Sequence, residues 1–522
     1  MSDSKKTLEK KANTKNGILR LIFFVIAIFL EIGVLTGVFL TGLNHNTEII
    51  TVSGRIMAFL IALAIYSQNK TASIRMPWIV LILVFPAVGI SLYIMIGLSG
   101  SIKRMRNRFD KMHNLLLPYL VQDEEVAKNL QDCEPSCTGV SCYIKKESGY
   151  PLYENTGVVY YPDAAEALEA QKQAMREAES FIFMEYYAIE DAECWEEIED
   201  ILTEKVKAGV EVRVFYDDFG SIGFINTDFA RKLEKKGINC CVFNPMIPLL
   251  NLFLNNRDHR KMTIIDGKTG FTGGYNIANE YFNITSPYGY WKDTGVRLTG
   301  DVVMSMTASF LEMWNAARTR KKGDSQFESY LFSRPAEHKE KGFVQFYADN
   351  PMDKKPVGED VYLNLICRAK EYLYIITPYL IITDEMSRML GLAAKRGVDV
   401  RIVTPGIPDK KIIYRLTRSY YNRLARDGVR IFEYSPGFCH AKMCVSDDTV
   451  ATCGTINMDY RSLYHHFEDG CLMIGCDAVT RIREDFENIF PQCREVTEKF
   501  ASGRTPMLRF GQLVLRLFAP LM

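Results

Sequence analysis

The sequence predicts an α/β fold: N-terminal transmembrane helices, then two similar lobes, each a mixed sheet flanked by helices, about a pseudo-two-fold axis. Three observations predict it. Apolar stretches of spanning length occupy the first hundred residues. After them, strands alternate with helices, and the alternation runs twice. The spacing H-x-K-x4-D also occurs twice, as His259, Lys261 and Asp266 and as His440, Lys442 and Asp447.

Ile18 to Gly42 is apolar and long enough to span a bilayer. Met76 to Gly97 is a second span, with Trp78 and Tyr93 near its ends. Between them, Ile49 to Tyr66 is a shorter apolar segment. Glu31 lies in the first span and Arg55 in the shorter segment. A charge near the bilayer centre costs about 2.5–3.5 kcal/mol, so the two are expected to pair. No cleavage site stands out after the first span, which is therefore expected to be retained. Lys5, Lys6, Lys10, Lys11, Lys15 and Arg20 precede the spans, and Lys103, Arg104, Arg106, Arg108 and Lys111 follow them. Both clusters favour the cytoplasmic side. That requires an even number of crossings and makes the middle segment re-entrant or interfacial. The same clusters suit an anionic lipid surface. Thirteen cysteines without a paired framework agree with a reducing compartment. A net charge of zero leaves no nucleic-acid footprint.

Residues 1–100 are thus read as the anchor and 101–150 as a basic connector. The repeat defines the lobes, at 151–323 and 343–500, with a linker at 324–342. Ala178-Glu179-Ser180-Phe181-Ile182-Phe183 corresponds to Ala369-Lys370-Glu371-Tyr372-Leu373-Tyr374. Lys207-Ala208-Gly209-Val210-Glu211-Val212 corresponds to Lys395-Arg396-Gly397-Val398-Asp399-Val400. Pro245 to Leu254 is an apolar insertion without a counterpart in the second lobe, and it suits either core packing or a lip that dips into the bilayer. Residues 501–522 place Leu508, Leu515 and Phe518 among Arg509 and Arg516, as a membrane-surface helix would.

Arg260 to Ile265 and Ala441 to Val445 read as strands. Residues i and i+2 of a strand share a face, so His259 projects with Lys261 and His440 with Lys442. An imidazole can attack phosphorus or pass a proton. An ammonium neutralises the non-bridging oxygens. This arrangement requires no metal or other cofactor. Asp266 precedes Gly267 in a turn, where a short carboxylate bonds backbone amides; Asp266 and Asp447 are read both as catalytic and as holding the catalytic loop. His465 and His466 are adjacent on a strand and point apart, so they suit a cleft wall better than one metal ion.

Each triad is followed by a small-residue turn and an asparagine: Gly273-Gly274-Tyr275-Asn276 and Gly454-Thr455-Ile456-Asn457. The first block runs on through Glu280-Tyr281 to Trp291-Lys292-Asp293, and the second through Arg461-Ser462 to Phe467-Glu468. On these residues the chain resembles the phospholipase D superfamily and, within it, the bacterial cardiolipin synthases. The resemblance covers nearly the whole chain. His466 departs from it, standing where the family pattern has an asparagine.

The resemblance implies two phospholipase D-type lobes sharing one cleft. It implies that one histidine forms a phosphohistidine while the other is the acid and base; His259 is read as the nucleophile and His440 as the acid and base, and the two-fold relation leaves the opposite assignment open. Lys261, Lys442, Asn276 and Asn457 would hold phosphoryl oxygens, and Glu280 and Glu468 would orient the imidazoles. The implied reaction joins two phosphatidylglycerol molecules into cardiolipin and glycerol, in a multi-pass protein of the cell membrane with cytoplasmic lobes. Hydrolysis, or transfer to another alcohol, is the alternative the same residues would serve. The implied partners are the phospholipid substrate and the bilayer, with no nucleic acid.

Overall fold

The computed structural model describes residues 47–68, 71–93, 100–245, 256–318, 324, 326–331, 340–353, 355–502 and 510–521, with five isolated positions before residue 47. Glu31, the basic residues ahead of the first span and residues 246–254 of the apolar insertion lie outside the described residues.

Thr47–Tyr66 is one helix, packed against the helix Ala72–Val84. The second expected span is interrupted. Phe85 leaves helical geometry at φ −128° and ψ 74°, and Pro86 opens a separate helix, Pro86–Leu92. Proline has no N–H to donate and pushes the residue before it out of the helical region. Among the described residues, no helix is long and apolar enough to cross a membrane. Val52, Ile56, Met57, Phe59, Leu60 and Leu63 nevertheless face outward.

The connector folds into three helices, Gly100–Leu116, Glu124–Cys133 and Pro135–Ser148. The first of them belongs to the core: Met105, Phe109 and Leu116 are buried between the lobes, and the Phe109 ring stacks on Phe467 at 4.8 Å.

The first lobe carries β1 (Thr156–Tyr161), β2 (Phe181–Tyr186), β3 (Glu211–Asp217), β4 (Asn239–Phe243), β5 (Arg257–Asp258), β6 (Lys261–Ile265), β7 (Thr269–Gly273), β8 (Tyr290–Lys292) and β9 (Gly295–Gly300). The second carries β10 (Phe343–Asp349), β11 (Tyr372–Ile376), β12 (Asp399–Pro405), β13 (Arg430–Tyr434), β14 (Gly437–Cys439), β15 (Met443–Ser446), β16 (Val450–Gly454), β17 (His466–Ile474) and β18 (Cys493–Glu495). The first sheet runs β1-β9-β7-β6-β2-β3-β4, and the second β10-β17-β16-β15-β11-β12-β13-β18. The two orders superpose strand for strand, apart from β18. In each, three parallel strands meet an antiparallel set at the strand that follows the histidine. Buried Val, Ile, Phe and Met on both faces of β2, β3, β11 and β12 explain why helices cover both sides.

One core lies between the lobes. Phe183, Met262 and Ile264 of the first sheet meet Ile376, Met443 and Met473 of the second through the helices Val303–Ala317 and Asp477–Ile489. Two short strands are exchanged across this boundary. β5 pairs with β17 of the second lobe, Arg257 opposite His466 and Asp258 opposite Phe467. β14 pairs with β8 of the first lobe, Phe438 opposite Trp291 and Cys439 opposite Lys292. The exchange is reciprocal, as a two-fold relation requires.

Candidate active site

Strand exchange brings the two histidine blocks together. His259 follows β5, and its N–H donates to the carbonyl of Phe467 at 2.8 Å. His440 follows β14, and its N–H donates to the carbonyl of Lys292 at 2.7 Å. Each histidine is therefore held by the opposite lobe, one residue before that lobe offers a carboxylate. His259 Nδ1 lies 2.9 Å from Glu468 Oε2, and His440 Nδ1 lies 2.7 Å from Asp293 Oδ2. We assign the proton to Nδ1 in both rings, since it then donates to a carboxylate and leaves the Nε2 lone pair free. Lys442 Nζ also lies 2.7 Å from His440 Nδ1, and it donates to the His440 carbonyl. Lys261 Nζ donates to the His259 carbonyl at 2.6 Å. Each ring feels the lysine of the other block, so the two pairs form one site.

Glu468 thus lies at hydrogen-bond distance from the His259 imidazole, whereas the carboxylate beside His440 is not Glu280. Asp293 serves His440 instead. Glu280 sits in the short 3-10 turn Asn279–Phe282, where burial and the nearby Glu190 and Asp409 carboxylates push it up to about 7. The repeat carries the signal for Asp293. Gly295 pairs with Gly273, and Gly470 pairs with Gly454. Counting back two residues from Gly295 and Gly470 reaches Asp293 and Glu468. Gly274 confirms the fit: a Cβ there would meet Asp293 Oδ1 at 2.0 Å, so only glycine admits that carboxylate.

Asp266 and Asp447 lie away from the imidazoles. Asp266 accepts from the N–H groups of Glu179, Ser180 and Phe181 at 2.7–2.9 Å, and Asp447 from those of Lys370, Glu371 and Tyr372 at 2.9–3.0 Å. Both occupy left-handed turn positions, at φ 55° and 54°. Of their two readings, the geometry supports the one that holds the loop: each pins the start of the central strand to the turn after the catalytic strand. The asparagines differ. Asn276 is committed to the fold, accepting from Ala188 N at 3.1 Å and donating to Tyr281 Oη at 2.8 Å. Asn457 leaves its Oδ1 buried without a hydrogen bond.

The electrostatics are asymmetric. Burial, with Lys261 next, holds His259 well below its usual range; burial and Lys442 take His440 down to about 3. Burial lowers Lys261 to about 8 and Lys442 to about 7, against the pull of Glu468 on the first and Asp293 on the second. Burial pushes Glu468 well above the carboxylate range, with Lys261 offsetting only part. Burial works on Asp293 too, but Lys442 and His440 outweigh it and hold Asp293 below its usual range. An ionised Asp293 favours a proton on His440. Burial makes Glu468 the harder of the two carboxyls to ionise, so it favours a proton on His259 less.

The imidazoles are 7% and 6% exposed. Tyr187 packs on His259 at 4.9 Å, and Tyr281, Trp291 and Phe438 enclose His440 at 5.1–5.9 Å. His466 lies 5.4 Å from the His259 ring. The broad cleft lined by Val121, Asn129, Asp301, Lys341 and Gly475 holds neither histidine.

A family described as "Cardiolipin synthase, PLD-like domain" matches residues 172–314 and 362–490, which contain both histidine blocks. The chain is 30% identical to a cardiolipin synthase of Halalkalibacterium halodurans, over 90% of this chain and 92% of that protein. It is likewise 30% identical to cardiolipin synthase 1 of Staphylococcus aureus, over 90% and 95% of the two. An uncharacterised protein of Streptococcus mutans is 40% identical over 87% of this chain and 98% of its own. The fold resembles a phosphatidylserine synthase from Haemophilus influenzae with a TM-score of 0.53 at 14% identity, covering 70% of this chain and 93% of that one. Two complete histidine–lysine blocks, matched along nearly the full length of such relatives, place this chain in the cardiolipin synthase family of phospholipase D-like proteins.

Proposed function

We propose that this chain is a cardiolipin synthase, moving a phosphatidyl group from one phosphatidylglycerol to the hydroxyl of a second. The observation that supports it best is the pair of buried imidazoles, each backed by a lysine and by a carboxylate from the opposite lobe. His259 Nε2 attacks phosphorus, and the P–O bond to the departing glycerol breaks. His440 gives its Nε2 proton to that oxygen. A second lipid's hydroxyl then returns a proton to His440, its oxygen attacks phosphorus, and the P–N bond to His259 breaks. Lys261, Lys442 and the Asn457 amide face the phosphoryl oxygens. The carboxylate asymmetry supports these roles, since ionised Asp293 stabilises the imidazolium that must act as acid. The anionic lipid phosphate supplies the negative charge that the empty site lacks, and so lifts His440 to where it holds a proton.

A phosphohistidine meant for a lipid alcohol must be kept from water. The ring of Tyr187, Tyr281, Trp291 and Phe438 suits that task. Residues 1–100 serve as the membrane anchor in this reading, with the lobes on the cytoplasmic side. The outward apolar face of Thr47–Tyr66 supports it. So does the C-terminal helix Phe510–Phe518, which packs on the helix Ala72–Val84 and leaves Leu513 and Val514 exposed.

The test is purified full-length protein in mixed micelles with labelled phosphatidylglycerol and chelator. Cardiolipin and glycerol are expected from wild type, and neither from His259→Ala. Phosphatidic acid as the main product would make the chain a hydrolase.

A further inference from the structure

His466 has no role in the reaction above, and its position is unusual. The repeat aligns it with Trp291: both stand four residues before the glycine that pairs with the end of β7 or β16. Trp291 closes an apolar wall against His440 at 5.3 Å. At the matching place against His259, the second lobe puts an imidazole. That ring is 8% exposed, and neither of its nitrogens makes a hydrogen bond. Burying unpaired ring nitrogens is costly, and His466 buries two of them where Trp291 buries one. Glu468 spans the gap between the two rings. Its Oε2 lies 2.9 Å from His259 Nδ1, and its Oε1 lies 3.6 Å from His466 Nδ1. One donor atom from each of the three residues falls within 4.8 Å of the other two.

We infer that His259, His466 and Glu468 form a site for a zinc-type divalent ion, and that its occupation blocks His259. Two imidazoles and one carboxylate with a fourth position open make a donor set that suits Zn2+. Bonds of about 2.0–2.2 Å to a tetrahedral ion need donors roughly 3.4 Å apart. The two spacings to Glu468, each to a different carboxylate oxygen, bracket that value, and the His466 ring has to turn inward to share one ion. On coordination through Nδ1 the His259 proton passes to Nε2, any proton on Glu468 goes to solvent, and the Nδ1–Glu468 contact is replaced by bonds to the metal. The His259 ring is then fixed and electron-poor, so it no longer attacks phosphorus. Lys261, Arg257 and Arg461 act on the same ring and repel cations. The site therefore selects ions that bind nitrogen strongly over Mg2+ or Ca2+, which prefer all-oxygen shells. The blocking effect rests on the phosphatidyl-transfer reading; the binding does not.

The test uses full-length protein in detergent, stripped with chelator and titrated with Co2+. Expected is the intense visible spectrum of tetrahedral Co2+, saturating at one ion per chain and displaced by Zn2+. It should lack the near-ultraviolet sulfur charge-transfer band that a cysteine site would add. His466→Asn and His466→Trp, the latter copying the first lobe, should abolish the spectrum, and His465→Asn should keep it. No tetrahedral band in wild type, or the same band in either His466 variant, overturns the inference. Anomalous diffraction from zinc-soaked wild-type crystals locates the ion without any variant: a peak between His259 and His466 is expected, and zinc bound only elsewhere overturns the site. A chain that binds Co2+ here yet makes no cardiolipin in chelator would sink the functional proposal and leave this one standing. Cardiolipin synthesis without the band would do the reverse.

Discussion

Each imidazole lies against a carboxyl group from the other lobe, and burial makes Glu468 harder to ionise than Asp293. Asp293→Asn removes the negative charge and brings an N–H donor that favours the wrong His440 tautomer, and in comparable sites such a change lowers kcat by about 100- to 10,000-fold. Glu280→Gln should stay close to wild type, because its carboxyl faces Glu190 and Asp409. Initial rates of cardiolipin formation compare them; equal losses would contradict the assignment of Asp293. The lysines set a pH dependence. Lys442 titrates at about 7 and Lys261 at about 8, so rising pH strips the positive charge that receives the lipid phosphate. The value of kcat/KM reports the free enzyme, and it should fall at least about tenfold between about pH 7 and pH 9. A profile flat to about pH 9 would contradict this. Both histidine–lysine pairs were legible in the sequence because the spacing repeats and a strand puts i and i+2 on one face. Asp293 was hidden because the two lobes differ in loop length: 18 residues separate Gly274 from Asp293, but 12 separate Thr455 from Glu468.

At the scale of elements, Asp266 and Asp447 act as staples. Asp266 satisfies three backbone N–H groups that open β2. Asp266→Ala leaves them without that acceptor, at about 1–3 kcal/mol for each amide that stays buried and unpaired, so a loss of about 3 kcal/mol or more is expected. Urea unfolding measures it, and the folded fraction should keep a near wild-type kcat. Wild-type stability with lost kcat would restore a catalytic role. The catalytic strands were legible from their β-branched, apolar runs. The exchanged strands β5 and β14 were not. Each is two or three residues long, and nothing in so short a segment specifies a partner in the other lobe. The break at Phe85–Pro86 could have been read from the proline alone.

Over the whole molecule, the two-lobed α/β plan followed from the repeat, but the way the lobes join did not. The sequence suggested a connector between anchor and lobes, whereas Phe109 and Leu116 sit in the core that both sheets share. A sequence shows that a helix has an apolar face; it does not show which two sheets will cover it. The consequence for function is that neither lobe holds a complete site: His259 needs Glu468, and His440 needs Asp293. The most direct test follows the phosphatidyl group itself. His440→Asn protein is mixed with phosphatidylglycerol over a series of times, quenched in base, digested, and searched by mass spectrometry for a histidine adduct. A phosphatidyl adduct on His259 is expected, forming slowly because the acid of the first step is gone and consumed slowly because the base for the second step is gone. An adduct on another residue, in a chain that still forms cardiolipin as wild type, would contradict transfer through His259.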